Sequence, residues 1–191
     1  MRKSAQEIQD DIFRKMTANQ KLMVWVGLWR LAKDLTNDKI NHGTNRQREL
    51  LKNIARIFEQ LKIPYLVTGG MAVLVWGRPR FTADIDIVVE IKPSDVCGLV
   101  NALKALGKAG YIDEDVATGT VVNGGEFNFI DGTTGVKVDF WVSDNGDFDL
   151  SRFERCSTKE ILGQKIYFTS PEDLILSKLK WFKESGSNRH L

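Results

Sequence analysis

One sequence feature restricts the possible folds of this chain most strongly. It is a strand-like segment that runs directly into two glycines and then into a helix-like segment. YLVT (Tyr65–Thr68) is short and apolar, Gly69-Gly70 follows at once, and MAVLVW comes next. Paired glycines allow so abrupt a change and let the backbone approach a ligand closely. The helix N-terminus would present free N–H groups and a positive partial charge, which suit a phosphate. Taken alone, a glycine pair after a strand is more often just a tight turn.

A second pattern begins thirteen residues after the glycine pair. DIDIVVE (Asp84–Glu90) alternates acidic and apolar residues, which predicts a strand. Residues two apart on a strand point to the same face, so Asp84 and Asp86 would project together. Hard oxygen ligands of this kind favour Mg²⁺, which typically takes one or two carboxylates, substrate phosphates and waters. The alternative for an isolated D-x-D pattern is the solvent-facing side of an edge strand.

The third acid, Asp139, lies in the otherwise apolar segment VKVDFWV. If it is buried it needs a partner, and a metal shared with Asp84 and Asp86 would supply one. Three acids from two strands could hold two metals about 4 Å apart, an arrangement that clamps both oxygens of a phosphoryl or nucleotidyl transfer.

The remaining patterns predict an α/β fold with a mixed central sheet flanked by helices. An amphipathic helix is expected from Asn45 to before Pro64, another from Pro93 to about Lys108, and a last one after the cap Ser170-Pro171-Glu172-Asp173. EFNFI and VKVDFWV predict neighbouring strands, and a strand pair is expected around residues 161–168. DNGDFD (Asp144–Asp149) is interpreted as a turn, and Trp76, Trp141 and Trp181 as core residues.

The first 44 residues are expected to form a helical extension with its own linker, and residues 45–191 the main domain. LMVWVGLW (Leu22–Trp29) is too short to span a bilayer. Its apolar residues recur at helical spacing and predict a helix that buries Trp25 or Trp29, either against the domain or in a contact with a second chain. Residues 34–45 are rich in Asn, Asp, Thr and Gly, which is typical of a linker.

Composition narrows the class of protein further. A chain of 191 residues with a formal charge of +2 is not basic enough to indicate a nucleic-acid partner by charge alone. Its two cysteines cannot build a disulfide framework, which favours a reducing cytoplasm, and no membrane segment is expected. The sequence also lacks a Gly-Lys-Ser/Thr phosphate loop. Its two histidines, His42 and His190, lie in the expected linker and at the end of the sequence, which argues against a His-based triad or a zinc site.

Taken together, the glycine pair, Asp84-Ile85-Asp86 and the later strand acid Asp139 resemble the nucleotidyltransferase superfamily typified by DNA polymerase β. YLVTGGMAVLVWGRPRFTADIDIVV, KVDFW and SPEDLILSKLKWF are similar to small prokaryotic nucleotidyltransferase-like proteins, among them the AbiEii-like toxins. The resemblance covers about residues 48–191. It implies a nucleotidyltransferase fold, with catalytic and metal-binding roles for Asp84, Asp86 and Asp139, and nucleotide-binding roles for Gly69, Gly70, Arg80 and Lys178.

The resemblance also implies an activity and partners. The expected enzyme moves a nucleoside monophosphate from an NTP to a hydroxyl of an RNA such as tRNA, or of a protein, with two Mg²⁺ ions or with Mn²⁺. The alternative is a non-catalytic nucleotide-binding or toxin–antitoxin module on the same fold. A homodimer or an antitoxin partner could bind through the N-terminal helices.

The sequence departs from its relatives at two places. Many relatives have Ser as the second residue of the glycine pair, whereas this chain has Gly70. Toxin-like relatives continue through an Arg and an Asp into further helices, whereas this sequence reads Arg189-His190-Leu191. Either those helices are absent or the sequence is a piece of a longer chain.

Overall fold

The computed structural model describes residues 39–76, 82, 84–107 and 110–185. Its contacts divide the chain after Asn45, so residues 46–191 form one compact unit. The elements are, in chain order, α1 (Lys39–Leu61), β1 (Tyr65–Thr68), α2 (Gly69–Trp76), β2 (Ile85–Val89), a 3₁₀ turn (Pro93–Asp95), α3 (Val96–Lys104), α4 (Glu114–Asn123), β3 (Gly125–Ile130), β4 (Lys137–Val142), α5 (Asp147–Glu154), β5 (Ser157–Ile161), β6 (Gln164–Phe168) and α6 (Pro171–Ser185).

The described strands form a six-stranded sheet in the order β3-β4-β2-β1-β6-β5. The β2–β4 and β1–β6 pairs are parallel, and the β3–β4, β1–β2 and β5–β6 pairs are antiparallel. Helices lie in three of the five connections between the described strands, and turns join β3 to β4 and β5 to β6. The predicted α/β fold with a mixed sheet is confirmed. Near the sheet centre, β2, which carries Asp86 and directly follows Asp84, lies next to β4, which carries Asp139.

Side chains alternate between the two faces of the sheet along β2 and β4, so that one face is apolar and the other is polar. Ile85, Ile87 and Phe140 are fully buried and belong to the main core. Helix α1 packs against this face, where the Phe58 ring meets the Phe140 ring edge-on with 5.9 Å between centroids. Because side chains alternate with a period of two, Asp86 and Asp139 are left for the opposite face.

Helix α6 is anchored at its first turn by Asp173. The Ser170 hydroxyl accepts a hydrogen bond from the Asp173 N–H at 3.1 Å and donates one to the Asp173 carboxylate at 2.8 Å, so Ser170 caps the helix as predicted. Arg155 donates two further hydrogen bonds to the same carboxylate. Burial alone would raise the pKa of Asp173, but the hydrogen bonds from Arg155 and Ser170 and the charges of Arg155 and Arg152 outweigh it and lower that pKa.

This anchor gives a prediction for stability against pH. Because the folded pKa of Asp173 lies below its ordinary value of 3.8, the carboxylate stabilises the fold fully above that value, and the stabilisation is lost as pH falls through the folded pKa. Asp173→Asn is expected to cost about 1–3 kcal/mol at neutral pH, since it removes hydrogen bonds to a buried charged acceptor. Denaturant melts of both proteins from pH 7 to 3 should show this difference shrinking below about pH 4. A difference independent of pH would contradict the role of the charge.

Two of the expected turn or linker segments are partly helical. Residues 39–45 belong to α1, so the predicted linker is wrong over that stretch. Extending an existing helix fixes one residue per hydrogen bond, which tolerates Asn, Thr and even Gly in positions that would not nucleate a helix. DNGDFD is a turn only as far as Gly146, which is the N-cap of α5. Helix α4 was not predicted, because its segment EDVATGTVVN lacks an amphipathic stripe.

The N-terminal predictions, including the helix with Trp25 and Trp29 and the contact with a second chain, concern residues outside those that the structure describes. Among the described helices, none has the length and apolar character that crossing a bilayer requires.

Candidate active site

A cavity of about 410 Å³ lies over the polar face of the sheet, between the start of α2, the strands β2 and β4, and the helices α5 and α6. Asp84, Asp86, Gly69, Gly70 and Lys178 all line it. The structure therefore gathers five of the predicted site residues around one space. Of the other two predicted site residues, Asp139 does not line the cavity and Arg80 lies outside the described residues.

The acids are brought together by the pairing of β2 with β4. In this parallel pair Asp86 is the register partner of Asp139, so both side chains project from the same face of the sheet. Asp84 precedes β2 and lines the cavity with Asp86. Asp139 is buried next to Asp86 and is not among the residues that line the cavity.

Asp86 lies in a partly buried and negatively charged environment. Burial is the main reason why its pKa is raised, and the negative charges of Asp139 and Asp84 raise it further. The N–H of Gly70 donates a long hydrogen bond of 3.4 Å to Asp86 Oδ2, and this bond and the charge of Lys137 oppose the rise. A carboxylate crowded by like charges is a place where an added cation would be strongly favoured.

The backbone at the glycine pair lies very close to the side chains of Asp86 and Thr82. Gly69 has φ = +56°, in the left-handed region, and a Cβ on it would lie 1.9 Å from Asp86 Oδ2. A Cβ on Gly70 would lie 2.2 Å from the Thr82 hydroxyl. The start of α2 is therefore close to Asp86 on one side and Thr82 on the other, so a side chain at either position would force Asp86 or Thr82 to move.

Thr82 connects the acids to helix α1. Its hydroxyl donates to the Asp84 carbonyl at 3.1 Å, and its own carbonyl accepts a hydrogen bond of 2.8 Å from the Gln47 side chain. Gln47 is buried, with only 8% of its surface exposed. Sequence reasoning missed Gln47, because a lone polar residue near the start of an amphipathic helix has no distinguishing pattern.

Gln47 is therefore expected to position the residues that lead into Asp84. Gln47→Met keeps the length of the side chain but removes the donor, and it should lower transfer activity about 10-fold while costing about 1 kcal/mol of stability, the typical net worth of one hydrogen bond. Gln60→Met, an exposed position on the same helix, is the matched control. Transfer rates and thermal melts of both variants check this, and equal activity in the two variants would exclude the positioning role.

Lys137 is a site residue that the sequence analysis did not select. Its ammonium group forms an ion pair with Asp139 Oδ1 at 2.8 Å. The pKa of Lys137 is raised, chiefly by this hydrogen bond; burial opposes the rise, and the charges of Asp139, Asp84 and Glu126 add to it. The signal was present in the sequence, because Lys137 and Asp139 are two apart on one strand and share a face.

The arrangement of the three acids meets only some of the requirements of a site for a divalent cation. Asp84 and Asp86 offer hard oxygen donors at the cavity surface, and Mg²⁺ commonly uses one or two carboxylates together with substrate phosphates. Within the described ranges, however, no group of three or more His, Cys, Asp or Glu residues is arranged to hold a metal ion. Asp139 is instead paired with Lys137, so the two-metal site that uses all three acids stays a prediction.

Apart from the acids and the glycine pair, the cavity lining is largely aromatic and charged. It includes Trp141, Phe148 and Trp181, the basic residues Arg152 and Lys180, and the acidic residues Asp144 and Asp149. The interpretation of Trp141 and Trp181 as core residues is wrong: Trp141 is half-buried at the cavity surface, and Trp181 is 42% exposed. Trp76 does not line the cavity, and its indole N–H donates to the Thr169 carbonyl at 2.8 Å. The sequence could not separate these cases, because a tryptophan has the same apolar signature in a core and in a pocket wall.

Solved structures share this fold. A Thermotoga maritima protein assigned to the nucleotidyltransferases is 16% identical, with a TM-score of 0.54 over 74% of this chain and 88% of that one. ANT(2″)-Ia in complex with adenylyl-2″-tobramycin is 20% identical, with a TM-score of 0.52 over 73% and 78%. An antigenic nucleotidyltransferase-like protein from Paracoccidioides brasiliensis is 19% identical, with a TM-score of 0.51 over 78% and 72%. The sheet order, the glycine turn and the paired acids thus define a protein of the nucleotidyltransferase fold.

The family is given by the sequence profile that matches residues 49–191, described as "Nucleotidyl transferase AbiEii toxin, Type IV TA system". The chain belongs to this AbiEii nucleotidyltransferase family, and the predicted resemblance and enzyme class are confirmed. None of the curated proteins compared with the chain matches it.

Proposed function

We propose that the chain transfers a nucleoside monophosphate from an NTP to a hydroxyl acceptor, with Mg²⁺ held by Asp84 and Asp86, as part of a toxin–antitoxin system. The observation that carries this proposal is the position of both carboxylates in one cavity with the start of α2 and Lys178. The family description supports the toxin–antitoxin setting. The acceptor is expected to be RNA, such as tRNA, or a protein.

The proposed reaction is an in-line displacement. The acceptor hydroxyl oxygen bonds to the α-phosphorus of the NTP, the bond from that phosphorus to the β-phosphate bridging oxygen breaks, and pyrophosphate leaves while the hydroxyl proton is released. Such chemistry depends mainly on positioning and charge neutralisation. A bound Mg²⁺ supplies charge neutralisation at the phosphate oxygens. Lys178 supplies a positive charge from the opposite wall, and Gly69 and Gly70 let the backbone come close to the phosphates.

Differential labelling tests the proposal. The protein is incubated with each NTP, labelled at either the α- or the γ-phosphate, together with Mg²⁺ or Mn²⁺ and total RNA or cell lysate. Nucleotidyl transfer puts the α-label but not the γ-label into an acceptor, and EDTA should abolish it. Digestion with ribonuclease or with protease identifies the class of acceptor.

The alternative proposal, a nucleotide-binding module without turnover, predicts a different result. The protein would then bind NTP, measured by calorimetry, yet label no acceptor from either phosphate under any of these conditions. Transfer of the γ-label alone would contradict both proposals, because it would indicate phosphoryl rather than nucleotidyl transfer.

A further inference from the structure

We propose that Trp141 and Trp181 form the wall on which the base of the donor NTP stacks, so that the aromatic end of the cavity is the nucleobase subsite. This inference rests on the proposed function, since it places the nucleotide in the same cavity as Asp84 and Asp86. It assigns a role to two residues that neither the D-x-D pattern nor the glycine turn involves.

The first observation is where the sheet places Trp141. On β4 it follows Asp139 by two residues, so it projects from the same face, and its register partner on β2 is Val88, two residues after Asp86. At about 3.3 Å per residue, Trp141 lies roughly 7 Å further along the strand than the acids. On the polar face of β4, the side chain next to the Asp139 carboxylate is therefore the Trp141 indole.

Helix α6 repeats this order on the opposite wall. Lys178 and Trp181 both line the cavity and are three residues apart, so they stand on one face of the helix, about one turn from each other. The rings of Trp141 and Trp181 meet at an angle of 61° with 5.2 Å between centroids. On β4 and on α6 alike, a charged residue is thus followed by a tryptophan. A nucleotide has a matching order, with its charged phosphates at one end and its aromatic base at the other.

A third observation is the exposure of these rings. Trp181 leaves 42% of its surface open, although a tryptophan that only fills a core would be covered. Base stacking on an aromatic side chain is favourable for every base, because each base has a π-face. An exposed indole in a cavity with phosphate-binding chemistry is therefore suited to a nucleobase.

Arg152 adds a cation to the cavity lining. Asp149 holds its guanidinium through an ion pair of 2.7 Å, and Asp149 is fixed in turn by the Ser143 hydroxyl at 2.8 Å. Arg152 Nε is buried and has no hydrogen-bond partner among the described residues. The guanidinium also lies 5.5 Å from the centroid of the Phe148 ring, another residue of the cavity lining, so its position is held from two sides.

Binding measurements without an acceptor test the inference. Calorimetry compares the affinity of the full chain for an NTP with its affinity for inorganic tripolyphosphate, which lacks base and ribose. Trp181→Leu removes the stacking surface at an exposed position where folding should tolerate it. We expect Trp181→Leu to weaken NTP binding about 10-fold, within the range that loss of one base–aromatic stack gives, and to leave tripolyphosphate binding unchanged. Trp181→Phe should retain most of the NTP affinity.

Leu179→Ala is the matched control, because Leu179 lies on the same helix, is 48% exposed and does not line the cavity. Equal NTP affinity in Trp181→Leu and the control would overturn the inference while leaving the proposed function intact. Unchanged NTP binding together with weaker binding of a short single-stranded RNA would also overturn it, and would assign the wall to the acceptor. A wild-type chain that binds tripolyphosphate and NTP equally would show that no base subsite exists. A wild-type chain that binds neither would overturn the proposed function itself.

Discussion

Replacing Asp86 with asparagine is expected to lower nucleotidyl transfer by at least about 100-fold while leaving the fold as stable as the wild type or slightly more so. Removal of a single group aimed at transition-state charge typically costs that much in rate. Stability should not fall, because Asp86 is crowded by the charges of Asp84 and Asp139 and, from the residues that the structure describes, receives a single long hydrogen bond, from the Gly70 N–H. Asparagine keeps the shape of the side chain and removes the repulsion.

The experiment measures transfer from α-labelled NTP alongside thermal melts, with and without Mg²⁺. Asp115→Asn is the control, since it changes the net charge equally at an exposed position of α4 that is not part of the cavity. Mg²⁺ should raise the melting temperature of the wild type and of the control more than that of Asp86→Asn. Wild-type turnover per folded molecule in Asp86→Asn would rule out its catalytic role, and a large loss of stability would make it a structural residue.

The sequence predicted the central part of the fold because its local signals agree with the tertiary contacts. Tyr65–Thr68 followed by glycines, the alternation along Ile85–Val89 and the Ser170 cap each specify an element boundary that packing then leaves unchanged. The signals fail where local preference is weak. Residues 39–45 join α1 because the neighbouring amphipathic turns propagate into them, and α4 forms without a hydrophobic stripe.

Strand periodicity predicts which residues of one strand share a face, and the candidate site could be predicted only to that extent. Period two places Asp84 with Asp86 and Lys137 with Asp139, but which strands become neighbours is a tertiary property. The register partnership of Asp86 with Asp139 and the ion pair of Lys137 with Asp139 both depend on it. The link from Gln47 to Thr82 spans 35 residues and has no local signature. The aromatic wall also needs α6 to be laid across the sheet before Trp181 can meet Trp141.

Gly69→Ala is expected to be the most destabilising single methyl addition in the site, costing about 2–5 kcal/mol. Two penalties combine in this variant. A residue with a Cβ pays about 1–2 kcal/mol in the left-handed conformation that Gly69 adopts at φ = +56°. The added methyl group would also lie 1.9 Å from Asp86 Oδ2, and overpacking of this kind costs about 1–3 kcal/mol. Transfer activity per folded molecule should fall as well, because Asp86 must move away.

Gly163→Ala separates the two penalties. Gly163 also has a positive φ, +76°, but a Cβ there meets nothing within 4 Å, so it pays for the conformation alone. Adding Asp86→Ala to Gly69→Ala removes the two closest atoms of the contact, Oδ2 and Cγ, and should restore part of the lost stability. Denaturant unfolding of the wild type, Gly69→Ala, Asp86→Ala and the double variant gives this coupling directly. If Gly69→Ala costs no more than Gly163→Ala and shows no coupling to Asp86, the start of α2 does not press on the acid, and the geometry proposed for the phosphate end of the cavity is wrong.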